Sequence, residues 1–330
     1  MYYLVLAFVL FACCGQKNTT RVSDATTTSA IRSAIGKMSE TPIFNTDSAY
    51  TYVACQVAFG PRVPNTEAHK ACAAFLASEL ERHGAQVFVQ QTVLTAYNGV
   101  KLNAQNIIGS FDPEKTRRAL LFAHWDTRPY ADQDKDPANH RKPIDGADDG
   151  GSGVGVLLEI ARQIGIKRPE IGVDIIFFDA EDYGTPYFAT DYNSDSWALG
   201  SQFWARNPHI PNYKADYGIL LDMVGAKGAT FFKESYSVKY ANLYVEKVWA
   251  TARELGYGKF FINANGTMIT DDHVPVNEIR RIPSIDIINL DPDRNFNFHT
   301  HWHTLNDNMD IISKETLKAV GQTVLHVIFK

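Results

Sequence analysis

VDIIFFDAED, residues 173–182, is the stretch from which the fold can be read. Val173 to Phe178 forms a run that is apolar but for Asp174 and has no alternation, as expected for a strand covered on both faces. It ends in three acids, Asp179, Glu181 and Asp182. The same pattern recurs twice: Ala119 to Ala123 leads into His124 and Asp126, and Gly218 to Leu221 leads into Asp222. Helical patterns occupy Ser48 to Phe59, Thr66 to His83, Gly153 to Ile164, Leu199 to Asn207, Val238 to Leu255 and Lys314 to Phe329. Gln86 to Thr95 and Asn103 to Gly109 read as strands laid at one side of the sheet. Strands and helices in alternation predict an α/β fold, a central mixed, mostly parallel β-sheet flanked by helices. Such sheets place their chemistry beyond the carboxyl ends of the strands, where these polar residues fall.

The chain has 330 residues, 45% of them hydrophobic, enough to bury a substantial core. Its 32 basic and 37 acidic residues leave a net charge of -5 and no positive surplus for a phosphate backbone, so no nucleic acid is expected as partner. Tyr2 to Cys14 is an apolar run too short to span a bilayer and of the length of a secretory signal. Leu10, Phe11, Ala12 and Cys13 resemble the box at which bacterial lipoproteins are cut and lipidated, and Cys14 could serve with the frame moved by one. No Lys or Arg precedes the run; the first basic residue is Lys17. Residues 1–14 are therefore expected to be a signal, and the protein to be exported, either periplasmic or held to a bacterial membrane only by an N-terminal lipid. Residues 15–46, rich in Thr and Ser, read as a flexible tether. With no repeat and no Pro/Gly/Ser linker after residue 47, residues 47–330 are expected to form one catalytic domain, acting as a monomer. Cys55 and Cys72 are too few to define a disulfide framework and read as buried thiols, their pairing left open.

Each polar motif has a plainer reading beside its chemical one. GADDGGSG, residues 146–153, contains Asp148 and Asp149 and could simply cap a helix, since it lacks both the phosphate-loop ending and dinucleotide spacing. Asp179, Glu181 and Asp182 could form a solvated loop, but carboxylates crowded behind a buried strand repel one another unless a cation or shared proton relieves them. Asp271, Asp272 and His273 could be an N-cap with acids at the favourable dipole end. NFNFHTHWHTLN, residues 297–308, carries three alternating His, either a loose surface chelator or a source of one imidazole ligand. Two carboxylates and one His with a fourth position open describe a catalytic zinc site.

Taken in order, FGPRVPNTEAHK, HWD, GADDGGSG, FFDAED, ALGS, LLDMVGA, DDHVP and HWHTLNDN resemble the zinc-dependent aminopeptidase-like (M28) family, and more closely its glutaminyl cyclase branch. The resemblance runs from about Gly60 to the C-terminus. It implies one zinc ion held by Asp149, Asp182 and His303, with Glu181 transferring protons. Asp222 and Asp271 complete an acidic network, and Trp302 and Phe298 help form the substrate pocket. The implied activity converts the N-terminal glutamine of peptides or proteins to pyroglutamate with release of ammonia. Related peptidases bind two zinc ions on the same scaffold, and His124 with Asp222 would supply the second site, Asp149 bridging. The alternatives are thus an exported two-zinc aminopeptidase or an inactive metal- or peptide-binding lipoprotein. Asp271, where the peptidases carry a small hydroxyl residue, and Trp302, where they carry Tyr, lean toward the cyclase. The chain also departs from the animal cyclases. Asp182 replaces a Glu ligand, Ala123 stands where a cysteine of the metal strand is found, and Trp197 lies later than their pocket tryptophan, so its part in the pocket is unassigned.

Overall fold

The computed structural model describes residues 41–294 and 297–330; the expected signal with Cys13 and Cys14, and the tether up to residue 40, lie outside the described residues. Helix α1 (Thr46–Val57) and α2 (Glu67–Arg82) lead into β1 (Gln86–Thr95), β2 (Lys101–Phe111) and β3 (Arg118–His124). Then come α3 (Gly151–Ile166), β4 (Gly172–Phe178), α4 (Leu199–Arg206) and β5 (Tyr217–Asp222). The chain finishes with β6 (Phe231–Lys233), α5 (Ser235–Glu254), β7 (Phe261–Asn265), α6 (His273–Glu278), β8 (Ser284–Ile288) and α7 (Lys314–Phe329). Six strands form one sheet in the order β1-β2-β4-β3-β5-β8, and β6 pairs with β7 apart from it. β1 and β2 are antiparallel to each other, and β2 to β4, while β4, β3, β5 and β8 run parallel. The sheet is therefore mixed and mostly parallel, as the sequence predicts.

The uninterrupted apolar runs follow from helices covering both faces. Leu121, Ile175, Ile219 and Ile285 pack against α1, α2, α3, α5 and α7, while Leu120, Phe122, Ile176 and Leu220 meet Trp204 of α4 and Val276 of α6. Side chains alternate across a strand, so both faces of the central strands must be apolar. Asp174 is the exception inside β4. Its two oxygens take Arg118 Nε and Nη2 at 2.6 Å each, and Tyr213 adds its hydroxyl at 2.6 Å, so the buried charge is paired and hydrogen-bonded.

The structure differs from the sequence expectation at the start of the body and in the shortest strands. The body starts before residue 47. Phe44 is 2% exposed and its N–H donates to Gln322 Oε1 at 2.9 Å, while Asn45 caps α1 by accepting from Ser48 N. A Cβ at Gly321 would meet the Phe44 ring at 2.1 Å, so the bare glycine on α7 is what admits that ring. The sequence also gave no expectation for β6, β7 or β8; β8 is only five residues long, too short to establish a period. Cys55 and Cys72 are both free thiols, with Cys72 buried. Among the described residues no helix is long and apolar enough to cross a membrane.

Candidate active site

The acids and histidines gather at the carboxyl ends of β3, β4 and β5. His124 ends β3, Asp222 ends β5, Glu181 and Asp182 follow β4, and Asp149 lies in the turn entering α3. Gly153 lets that turn approach, for a Cβ there would sit 2.1 Å from the Leu221 carbonyl oxygen. Two groups of buried donors share Asp149: Asp149, Asp182 and His303, and His124, Asp149 and Asp222, each with ligand atoms within 4.8 Å of one another. His303 Nε2 lies 3.2 Å from Asp182 Oδ1 and 3.5 Å from Asp149 Oδ2. His124 Nε2 lies 3.0 Å from Asp149 Oδ1 and 3.3 Å from Asp222 Oδ1.

Fixed backbone groups hold these side chains in place. Asp126 accepts the Glu181 N–H at 3.0 Å and the Asp182 N–H at 3.2 Å, and Asp307 accepts those of Asp148 and Asp149 at 2.7 and 3.1 Å. Ala180, Met223 and His303 adopt left-handed φ of 54°, 48° and 51°, strain of the kind that clusters where side chains are aimed at a functional site. Arg128 is bidentate to Asp132 at 2.7 Å and donates to the Asp182 carbonyl at 3.1 Å. The supporting roles of Asp307, Arg128 and Asp132 are absent from the sequence reading, because their targets are backbone atoms and neighbours that only the fold supplies.

Several plainer readings are now decided. Gly150, the N-cap of α3, makes no side-chain cap, and neither does Asp272 at α6, so neither acidic pair serves as a cap. Asp179 faces away from Glu181 and Asp182, binding His69 Nε2 at 2.9 Å and the Gln105 N–H at 2.6 Å. Of the three alternating histidines only His303 joins the cluster; His301 Nε2 meets Asp148 Oδ2 at 3.0 Å.

Glu181, Asp222, Asp271, Trp197, Phe298, Trp302 and His303 all line one cavity of about 250 Å³. Trp302 stacks on His303 with ring centroids 3.8 Å apart, and Trp197 lies parallel to the same imidazole at 6.0 Å. Burial, then Asp271 and Asp182, push the Glu181 carboxyl well above its ordinary range. Asp222 and Asp271 are each raised to about 7 by burial and by neighbouring acids. Burial, with Arg128 beside it, lowers His303 to about 3 and keeps the imidazole neutral. Asp149 Oδ2 and Asp182 Oδ2 are buried without a hydrogen-bond partner. Neutral imidazole, two carboxylates with unsatisfied oxygens and an open side facing a cavity are the donor chemistry of a catalytic zinc site.

Fold and site together define a zinc-dependent exopeptidase-like α/β protein. The chain belongs to peptidase family M28, whose model matches residues 106–328. It is similar to Tannerella forsythia glutaminyl cyclase, with 70% identity and a TM-score of 0.86 over 88% of this chain and 99% of that one. A Zn-dependent exopeptidase from Parabacteroides distasonis is 69% identical, with a TM-score of 0.87 over the same shares. The glutaminyl-peptide cyclotransferase of Bos taurus is 28% identical over 245 residues, 66% of this chain and 63% of that protein's length.

Proposed function

We infer that the chain is a glutaminyl-peptide cyclotransferase, closing the N-terminal glutamine of peptides or proteins into pyroglutamate with release of ammonia. One observation carries this reading: Glu181, Asp222 and Asp271 line the same aromatic-walled cavity as Asp149, Asp182 and His303, in a chain so similar to a bacterial glutaminyl cyclase. Asp149, Asp182 and His303 would hold one zinc ion. Its count is supported by the unsatisfied oxygens, since both Asp149 Oδ2 and Asp182 Oδ2 belong to this triad. In the other triad His124 Nε2 and Asp222 Oδ1 already form a hydrogen bond at 3.3 Å. Bound zinc would polarise the γ-carboxamide and stabilise negative charge gathering on its oxygen.

The remaining work falls to the chain's own side chains. Glu181 accepts a proton from the substrate's α-amine as that nitrogen forms its bond to the carboxamide carbon, Cδ. It then returns the proton to the departing nitrogen as the old C–N bond breaks, so ammonia leaves neutral. One carboxyl can serve in both directions, and burial beside Asp271 and Asp182 raises its pKa well above the ordinary carboxylate range. Asp271 and Asp222 orient the amine and share protons with one another, their carboxyls both raised to about 7. Trp302, Phe298 and Trp197 limit access of water, so ring closure prevails over hydrolysis. The apolar run at residues 2–14 supports export of the enzyme.

The His124, Asp149 and Asp222 triad favours the second reading, a two-zinc aminopeptidase in which water attacks a peptide carbonyl. Ammonia released from a glutaminyl peptide, measured beside leucine released from leucyl amide, separates the two. Ammonia without leucine is expected; leucine without ammonia overturns the cyclotransferase assignment.

A further inference from the structure

Beside the cavity containing the acids lies a second one of about 340 Å³, and the two share Tyr192, Trp197, Trp302 and His303. Pro186, Tyr187 and Ala189 complete the apolar wall of this side cavity. Its buried cation, Arg128, is already committed to Asp132 and to the Asp182 carbonyl, with the Trp197 ring 4.7 Å from the guanidinium carbon. Little unsatisfied charge therefore remains there for a ligand.

Tyr187 and Tyr192 stand 69% and 71% exposed on the rim. The loop that carries them is tied down. Tyr187 N–H donates to Asp132 Oδ2 at 2.7 Å, Thr185 N–H to Ser196 Oγ at 2.9 Å, and Ala198 N–H to the Glu181 carbonyl at 3.0 Å. Aromatic rings held out on an ordered backbone offer apolar contact area at little further entropy cost. A third cavity carries Lys135, Asp293 and Arg294 and shares only Phe298 and Trp302 with the first.

We propose that the side cavity is the subsite for the second residue of the substrate, and that it favours a large apolar side chain there, aromatic above all. A glutamine whose carboxamide faces the metal triad and whose amine faces Glu181 must send its own carbonyl, and the residue that follows, out of the first cavity. The side cavity shares His303 and three aromatic residues with the first, whereas the charged one shares only Phe298 and Trp302 and does not reach His303. This inference rests on the cyclotransferase reading.

The test is ammonia release by the purified chain from Gln-Phe, Gln-Leu, Gln-Gly and Gln-Asp amides, with wild type, Tyr187→Ala and Lys135→Ala. Wild type should favour Phe over Gly about tenfold in kcat/KM, carried mainly by KM, the discrimination a modest apolar pocket supplies. Tyr187→Ala should bring the Phe-to-Gly ratio toward one, and Lys135→Ala should leave that ratio as it was. A flat series, a ratio unmoved by Tyr187→Ala, or a preference for Asp that Lys135→Ala removes would overturn the subsite alone. Absence of ammonia from every peptide would overturn the functional reading and this inference with it.

Discussion

Glu181 and Asp182 are neighbours in sequence with different duties. Asp182 points its Oδ1 to within 3.2 Å of His303 Nε2, while Glu181 meets the charge of Asp271 across the cavity, and both are positioned by backbone bonds to Asp126. Glu181→Gln keeps the shape and removes the titrating oxygen. Turnover should fall on the order of 10² to 10⁴ fold with zinc content unchanged, measured by ammonia release and metal analysis on the same sample. A variant with normal turnover would remove Glu181 from the proton path. The motifs made Asp149, Glu181, Asp182 and His303 legible because each follows a buried strand or sits in a dense polar run. Asp307 was not, because its value lies in two amide groups contributed by a distant turn. Trp197 could be placed only in three dimensions, where it lies parallel to the His303 ring.

At the scale of elements, the start of α5 is locked by a single carboxylate. Glu234 is fully buried and accepts from Tyr236 N, Ser237 N, Ser237 Oγ and Ile269 N between 2.6 and 3.0 Å, and meets His273 Nε2 at 3.1 Å. It thereby fastens α5 to the segment leading to Asp271 and to the first residue of α6. Burial alone would raise its pKa, but the His273 hydrogen bond and charge, with the backbone donors, bring it from 4.5 to about 2. A depressed carboxyl stabilises the fold above its unfolded pKa, and that contribution is lost as pH falls through the folded value. Glu234→Gln should cost about 3 kcal/mol at neutral pH, as expected for breaking a buried charged contact. The gap from wild type in urea unfolding should narrow from pH 4.5 toward pH 2; a constant gap would mean that the charge contributes nothing. The cap also explains why α5 begins at Ser235 rather than at Val238, where the apolar period starts. The central strands were legible because burial on both faces leaves long apolar runs. β6 and β7 were not, because a three-residue and a five-residue strand carry too little pattern.

On the scale of the whole molecule, the proposed metal triad joins segments that are far apart in the chain: the turn before α3, the residues after β4 and the loop before α7. An ion bound there stabilises the folded state alone, by about 4 kcal/mol when zinc exceeds its Kd a thousandfold. Chelation should therefore lower Tm on the order of 10 °C in calorimetry. In His303→Ala the chelated and zinc-loaded samples should melt together; a Tm difference that persisted would place the ion elsewhere. The contact between Trp302 and His303 has a further consequence. One of the five tryptophans lies directly on the proposed zinc ligand His303, and a neighbouring imidazole alters indole emission according to its charge and coordination. Zinc binding there should therefore change Trp302 emission, a gauge of occupancy that can be followed in real time without substrate, label or dye.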